Sequence, residues 1–259
     1  MYYVSETDML KSMRMALYDE VVRTPGYIQG ENFTGLADFV TLLSNILKNS
    51  ERARLVFIHM REYLESRRDH RMVSVDDYRR QFESVERVYA NPFPVNASWQ
   101  HCKGTTPMFR GYTCGLWTTF HALTVHSYID TIKDSNMNPL KPLKSIQGWV
   151  KGFFGCKHCR KHFMNMTTNI FPMTERRIRH PHDMMTYLWR AHNIVNNRLH
   201  GDPTEDPQFI KMQFPPPFLC PTCHSGGQFS RRQVRNFLLR YYGSIKPHNR
   251  LADRRLAFF

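Results

Sequence analysis

The residues of this chain best suited to covalent chemistry are Cys156 and Cys159, in Gly155-Cys156-Lys157-His158-Cys159-Arg160-Lys161-His162-Phe163. Two intervening residues let the sulfurs meet as a disulfide on the first turn of a helix. There, unpaired backbone N–H groups and the helix dipole stabilise a thiolate and lower its pKa. Lys157, Arg160 and Lys161 act in the same direction, because positive charge favours the thiolate. The chemistry this implies is thiol–disulfide exchange. A second pair, Cys220 and Cys223 in Cys220-Pro221-Thr222-Cys223-His224, follows after 60 intervening residues. Four thiolates in two close pairs could also make a tetrahedral zinc site, although the bulky charged neighbours of the first pair are unlike the short hairpins of zinc ribbons. Other chemistries lack their motifs. There is no Gly-x-Ser-x-Gly, no P-loop and no Gly-x-Gly-x-x-Gly, so any dinucleotide would be held by helices rather than by a Rossmann turn.

Two helix faces could meet a flat ligand. Trp117 and His121 are four apart and share a face, offering an indole and an imidazole side by side, or simply a core Trp beside a hydrogen-bonded His. Trp189, His192, Asn193 and Asn196 stand at i, i+3, i+4 and i+7. A core stripe has no use for two asparagines, each an expensive buried amide unless something polar meets it, so this face reads as a ligand face. Lys211, in the proline-terminated strip Phe209 to Pro217, could reach a phosphate or lie solvated. Cys102 and Cys114, with eleven residues between them, suit a structural disulfide pinning an irregular lead-in to a helix. Such a bridge is worth about 3 kcal/mol in the chain-entropy model.

The elements that must position these groups are helical. Met9, Met13, Ala16, Leu17 and Val21 recur at helical spacing, as do Leu36, Phe39, Val40, Leu43, Ile46 and Leu47. Helices are also expected through Val56 to Leu64, from the capping-type start at Ser74, and from Cys114, Cys156 and Pro181. A short helix is expected around Ile146 to Phe153, after a turn-rich stretch from Asp134 to Pro142, and a last one ends at Gly243. Asn91-Pro92-Phe93-Pro94 breaks the pattern. The expected organisation is a cysteine-free helix-rich domain over 1–94, a chemistry-bearing domain over 95–243 and a mobile basic tail over 244–259.

The 259 residues carry a net charge of +14, with 36 Lys and Arg against 22 Asp and Glu, but the cations are scattered rather than gathered in a block. That pattern fits a basic solvated surface and no nucleic-acid interface. No apolar run reaches the roughly 18 residues of a membrane span, and the start shows no signal peptide. Three N-glycosylation sequons, at Asn32, Asn96 and Asn165, lend weak support to a secretory environment.

Phe109-Arg110-Gly111-x-x-Cys114-x-x-Trp117-x-x-x-His121, then Cys156-x-x-Cys159-x-x-His162-Phe163, then Trp189-x-x-His192-Asn193-x-Val195-Asn196, then Lys211 resembles, in order and spacing, the flavin-binding Erv/ALR fold of sulfhydryl oxidases. With Asp206-Pro207-Gln208-Phe209 and Pro215-Pro216 ahead of Cys220-x-x-Cys223, the chain most resembles the C-terminal half of the quiescin sulfhydryl oxidase family. The resemblance covers residues 95–243, and more loosely 1–94, which are similar to that family's degenerate, flavin-less helical domain.

The resemblance implies an all-α Erv/ALR-type bundle preceded by a pseudo-Erv domain, with FAD held noncovalently and no metal. Carried over by position, Arg110, Trp117, His121, His158 and His162 would contact the flavin nucleotide. So would Trp189, His192, Asn193, Val195 and Asn196, with Lys211 and Phe214. Phe214 stands where the family usually has a tryptophan, keeping the stacking surface but losing an N–H donor. Cys159 would face the flavin and Cys156 incoming dithiols, with electrons passing to dioxygen to give hydrogen peroxide. Cys220–Cys223 would be a short-range disulfide. The resemblance further implies residence in the secretory pathway or secretion, a monomer with an internal pseudo-dimer, and an upstream thioredoxin-like domain or protein as electron donor. Without such a donor the module is expected to oxidise small dithiols such as dithiothreitol and to be poor with protein substrates. The alternative is a zinc-stabilised basic binding module.

Overall fold

A computed structural model describes residues 3–46, 50–131 and 137–248, so Leu47 of the second apolar stripe, residues 134–136 of the expected turn-rich stretch and the tail from 249 onward lie outside the described residues. The chain enters through the short strand β1 (Val4–Ser5) and α1 (Glu6–Arg14), whose first turn is capped by the Ser5 hydroxyl accepting from Asp8 N–H. A π-helical turn, Met15–Asp19, carries α1 into α2 (Glu20–Val22). Strand β2 (Tyr27–Gln29) leads into α3 (Gly30–Leu43), then α4 (Glu51–Glu65), strand β3 (Met72–Ser74) and α5 (Val75–Val88). Strands β2 and β3 pair antiparallel with Ile28 opposite Val73, and Ser74 accepts from Asp77 N–H at 3.0 Å, the cap its sequence predicts.

The second half is built from α6 (Gly111–Thr131), α7 (Leu140–Phe153), α8 (Lys157–Asn165) and α9 (Pro181–Leu199). A turn at Pro221–Cys223 and the small hairpin of β4 (His224–Ser225) and β5 (Gln228–Phe229) lead into α10 (Arg231–Gly243). The architecture is therefore helical, as the apolar spacing predicts. Two boundaries differ. Helix α7 starts at Leu140 rather than near Ile146, because Pro142 falls in its first turn, where a missing N–H costs nothing, and Asn138 accepts from Leu140 N–H at 2.9 Å. Nor does the chain trail off at once beyond Gly243. Strand β6 (Ile245–Lys246) pairs parallel with β1, and His248 N–H donates to the Glu6 carboxylate at 2.8 Å.

One hydrophobic cluster runs through both halves. It is continuous because helices cross at glycine. A Cβ on Gly35 of α3 would lie 2.9 Å from the carbonyl carbon of Gly148 on α7. At the crossing of α1 and α6, a Cβ on Gly115 would lie 2.8 Å from Asp8 O and overlap Ser12 Oγ. The buried Asp8 carboxylate then accepts the consecutive N–H groups of Gln100, His101 and Cys102 at 2.7, 2.8 and 3.0 Å, fastening the irregular lead-in to α1. The Cys102–Cys114 disulfide ties that lead-in to the start of α6.

A methyl at position 115 has no space to enter. Gly115→Ala is expected to cost about 1–3 kcal/mol of unfolding free energy through overpacking. Chemical denaturation followed by circular dichroism measures it, and an unchanged midpoint would mean that α1 yields at this crossing.

Candidate functional site

Cys156 is the N-cap of α8, and its Sγ accepts the N–H of Cys159 at 3.2 Å within the Cys156–Cys159 disulfide. Cys156 is exposed and Cys159 half-buried. One turn on from Cys159, Phe163 is buried and meets the Trp117 indole edge-on at 6.2 Å, so this side of α8 faces α6. Gly155, just before the pair, is crowded from the first half of the chain. A Cβ there would lie 2.8 Å from Glu20 Oε2 and 2.9 Å from Arg23 Cζ, two residues that pair with each other.

Behind the disulfide lies a stack of rings. Trp117 and His121 rise from α6, and His192 of α9 lies flat on the Trp117 indole, 4.0 Å between centroids and 3° from parallel. His121 Nε2 and His192 Nδ1 share a hydrogen bond of 2.9 Å. Tyr242 of α10 stacks on the other side of His121 at 4.8 Å. Burial pushes the His121 pKa down to about 3. Burial likewise holds His192 well below the ordinary range, reinforced by His121 and Lys211. Both imidazoles are thus neutral at neutral pH, one donating to the other's lone pair. On α8, the rings of His158 and His162 meet at 4.3 Å, and desolvation, then Arg198, His158 and Lys161, lowers the pKa of His162.

On the Trp189–Asn196 face of α9, strip 212–214 of the chain itself supplies polar partners for the asparagines. Asn193 grips Phe214 at both ends of its backbone, donating to Phe214 O and accepting Phe214 N–H, each at 2.8 Å. Asn196 donates to Met212 O at 3.1 Å, and the Trp189 indole N–H donates to Phe214 O. Val195 packs against the core. The Phe214 ring meets Phe237 and Tyr241 of α10 at 5.6 and 5.9 Å, so α9 holds the strip and α10 receives its ring.

At the far end of the site Arg110 donates through Nη2 to His101 O at 2.6 Å and lies over the Phe209 ring at 3.9 Å. Its Nε is buried with no hydrogen-bond partner, and burial lowers its pKa. Lys211 is half-buried, and among the described residues no acceptor meets its ammonium group; burial and then Arg110 lower its pKa. The nearby carboxylates are engaged elsewhere. Asp206 takes the N–H and hydroxyl of Thr105, and Glu205 takes the backbone N–H groups of Gly201 and Lys211. An orphaned guanidinium nitrogen and a cation without an acceptor, next to a wall of rings, fit the pyrophosphate and ring systems of a flavin nucleotide.

The two Cys-x-x-Cys pairs do not converge. Each closes its own disulfide, Cys156–Cys159 on α8 and Cys220–Cys223 in a turn against α10, which removes the four-thiolate zinc site considered from sequence. Asp8, Glu20, Arg23 and Tyr242 were missed. Tyr242 could have been found as the residue one turn on from Leu238 in the α10 stripe. Asp8 carries no local signal, since its partners lie more than ninety residues away, and the local i,i+3 pairing of Glu20 with Arg23 does not show that the two lie against Gly155.

The site combines a solvent-facing disulfide on a helix start with buried rings from neighbouring helices. Residues 114–215 match the model of the Erv1 / Alr family. The chain is 33% identical over 220 residues to sulfhydryl oxidase 1 of Cavia porcellus, covering 84% of this chain and 35% of that protein. It is 45% identical over 131 residues to sulfhydryl oxidase 1 of Gallus gallus, covering 51% and 17%. The fold superposes on the sulfhydryl oxidase fragment of human QSOX1 with a TM-score of 0.83 at 28% identity, covering 95% of this chain and 98% of that one. The chain carries an Erv1 / Alr family domain over residues 114–215 and has the helical fold of that sulfhydryl oxidase fragment. It spans 17 to 35% of the length of these two curated relatives.

Because His121 binds its proton less readily when folded, the unfolded chain takes up protons first. Its contribution to stability is complete above pH 6.5 and is lost as pH falls toward about 3. Denaturant titrations across that window are expected to show unfolding free energy falling by up to about 1.4 kcal/mol per pH unit from this group. His121→Gln is expected to flatten that part of the slope.

Proposed function

We propose that this chain oxidises dithiols to disulfides at Cys156–Cys159, with FAD as cofactor, dioxygen as the final acceptor and hydrogen peroxide as product. The observation that carries the reading is the exposed N-cap disulfide backed, through Phe163, by the Trp117–His192 stack. A substrate thiolate attacks the exposed Cys156 Sγ. The bond to Cys159 breaks, and Cys159 leaves as a thiolate beside the helix N-terminus, which stabilises it. The second substrate thiol gives up its proton and attacks the mixed disulfide at the substrate sulfur. This closes the product disulfide and frees Cys156. When bound, FAD supplies the acceptor for the two electrons now held by the cysteine pair and delivers them to dioxygen. Arg110 and Lys211 would hold its pyrophosphate, and Trp117, His121 and His192 would line its ring site, with His158 and His162 on the α8 side. Asn193 and Asn196 serve that site by fixing the 212–214 strip.

Residues 1–94 act as the supporting helix-rich domain and 95–243 as the oxidase domain, the first covering faces of α6 and α7 that would otherwise seek a second copy. A monomer follows. An upstream thioredoxin-like domain or protein would supply electrons, in the secretory pathway or outside the cell. No helix among the described residues is long and apolar enough to cross a membrane.

The purified chain is expected to show a flavin absorption spectrum that bleaches with dithiothreitol and recovers in air, and Cys156→Ser or Cys159→Ser should abolish the bleaching. A colourless protein would refute the flavin reading. The secretory reading has its own check. Asn96 is exposed on a turn whose carbonyls at Val95 and Ala97 accept from Lys11. Asn32 is half-buried in the first turn of α3, and the Asn165 amide accepts from Asn169 at 2.8 Å. Chain made in a secretory host should carry glycan at Asn96 alone, read as an endoglycosidase-sensitive mass that Asn96→Gln removes.

A further inference from the structure

The exposed charge around the disulfide is predominantly cationic. Lys157 follows Cys156 directly and is exposed, as is Lys161 one turn later. Arg160 lies four residues after Cys156, on the same side of α8, and its guanidinium reaches the Gly152 carbonyl at 3.5 Å. From the first half, Arg23 lies against Gly155 with its side chain 61% exposed, while its partner Glu20 is 5% exposed and turned away from solvent. No Asp or Glu occurs between Asp134 and Glu175, a stretch holding Lys141, Lys144, Lys151, Lys157, Arg160 and Lys161, of which Lys151 pairs with Glu31 of α3 at 2.6 Å. The carboxylate beyond the His158 side is Asp202, whose Oδ1 takes the N–H and hydroxyl of Thr204 at 2.8 and 2.6 Å.

We propose that this surface selects among thiol substrates by charge, favouring dithiols that carry carboxylates close to the sulfurs. The inference rests on the oxidase reading above. Every attacking thiolate is itself anionic, so the cations help all substrates alike at the moment of exchange. A carboxylate beside the dithiol feels the same field over several ångströms of approach, which raises its encounter rate and so its kcat/KM. Because Cys159 is half-buried, the selection acts at Cys156. The donor this site fits is a dithiol set among acidic residues.

Dihydrolipoate and dihydrolipoamide test this directly, since they share one dithiol and differ by a single carboxylate charge. Oxygen consumption by the flavin-loaded chain gives kcat/KM for each. The expected ratio favours dihydrolipoate by about 3- to 10-fold at low ionic strength, from one unit charge within several ångströms of the cations at high effective dielectric. It should shrink toward unity near ~0.5 M salt, where the screening length falls to a few ångströms. Lys157→Glu should lower the ratio at low salt. Any effect of that change on cysteine reactivity touches both substrates equally and cancels in the ratio. Equal values for both substrates at every salt concentration would overturn the selection while leaving the oxidase intact. Turnover of neither would overturn the oxidase reading, and the selection with it.

Discussion

Backbone contact at Gly115 is the constraint on which the site depends. A helix can come this close to another only where one presents no side chain, and at Gly115 the α1 backbone and Ser12 occupy the space a Cβ would take. Ser12 turns its hydroxyl back to Asp8 O at 2.7 Å, so the crossing leaves no polar atom exposed to the apolar seam. Trp117 and His121 lie within two turns of that crossing. Their reach toward α8 and α9 is set by how deeply α6 sits on α1. The Asp8 carboxylate performs the second half of the task. Three converging N–H groups satisfy a buried charge that would otherwise be costly, and they hold the lead-in from which Arg110 projects.

The first half of the chain is therefore more than a cover. Among the described residues it contributes no side chain to the ring stack, yet α1 sets the seat of α6, α3 sets that of α7 through Gly35 and Gly148, and α2 presses Arg23 and Glu20 on Gly155. The last of these bears directly on the disulfide, because Gly155 leads into the N-cap residue whose position starts α8. Strand β6 returns the end of α10 to β1, so Tyr242 is tied to the same framework that carries α6.

Much of this was legible in the sequence, and the boundary is physical. Helical periodicity located α3, α4, α5, α9 and α10 because each buries a stripe whose spacing is local. Cys156, Cys159, Trp117 and His192 were legible because their types are rare and their spacing implies one face. Asp8 was not, since a carboxylate on a mostly buried helix gives no sign that its partners lie more than ninety residues away. The asparagines of α9 were located, but not the backbone they bind. The cost of burying an amide correctly demanded a polar partner, and the periodicity of α9 could not show that the irregular strip 212–214 would supply it.

Near the cysteine pair the exposed cations and the neutral ring stack stand on different sides, while Arg110 and Lys211 carry charge at the other end of the site. Positive charge lowers a thiol's pKa and with it the nucleophilicity of the thiolate, so a cation set deep beside Cys159 would stabilise the leaving thiolate and then make it slow to react onward. Burial keeps His121 and His192 uncharged, and the hydrogen bond between them satisfies the lone pair and proton that neutrality leaves. Lys157, Lys161 and Arg23 stand outside, where their charge acts on what approaches Cys156. In the proposed reaction a thiolate formed on Cys159 would have the helix start to favour its formation, with Phe163 and the neutral rings of α6 and α9 on the side where Phe163 packs.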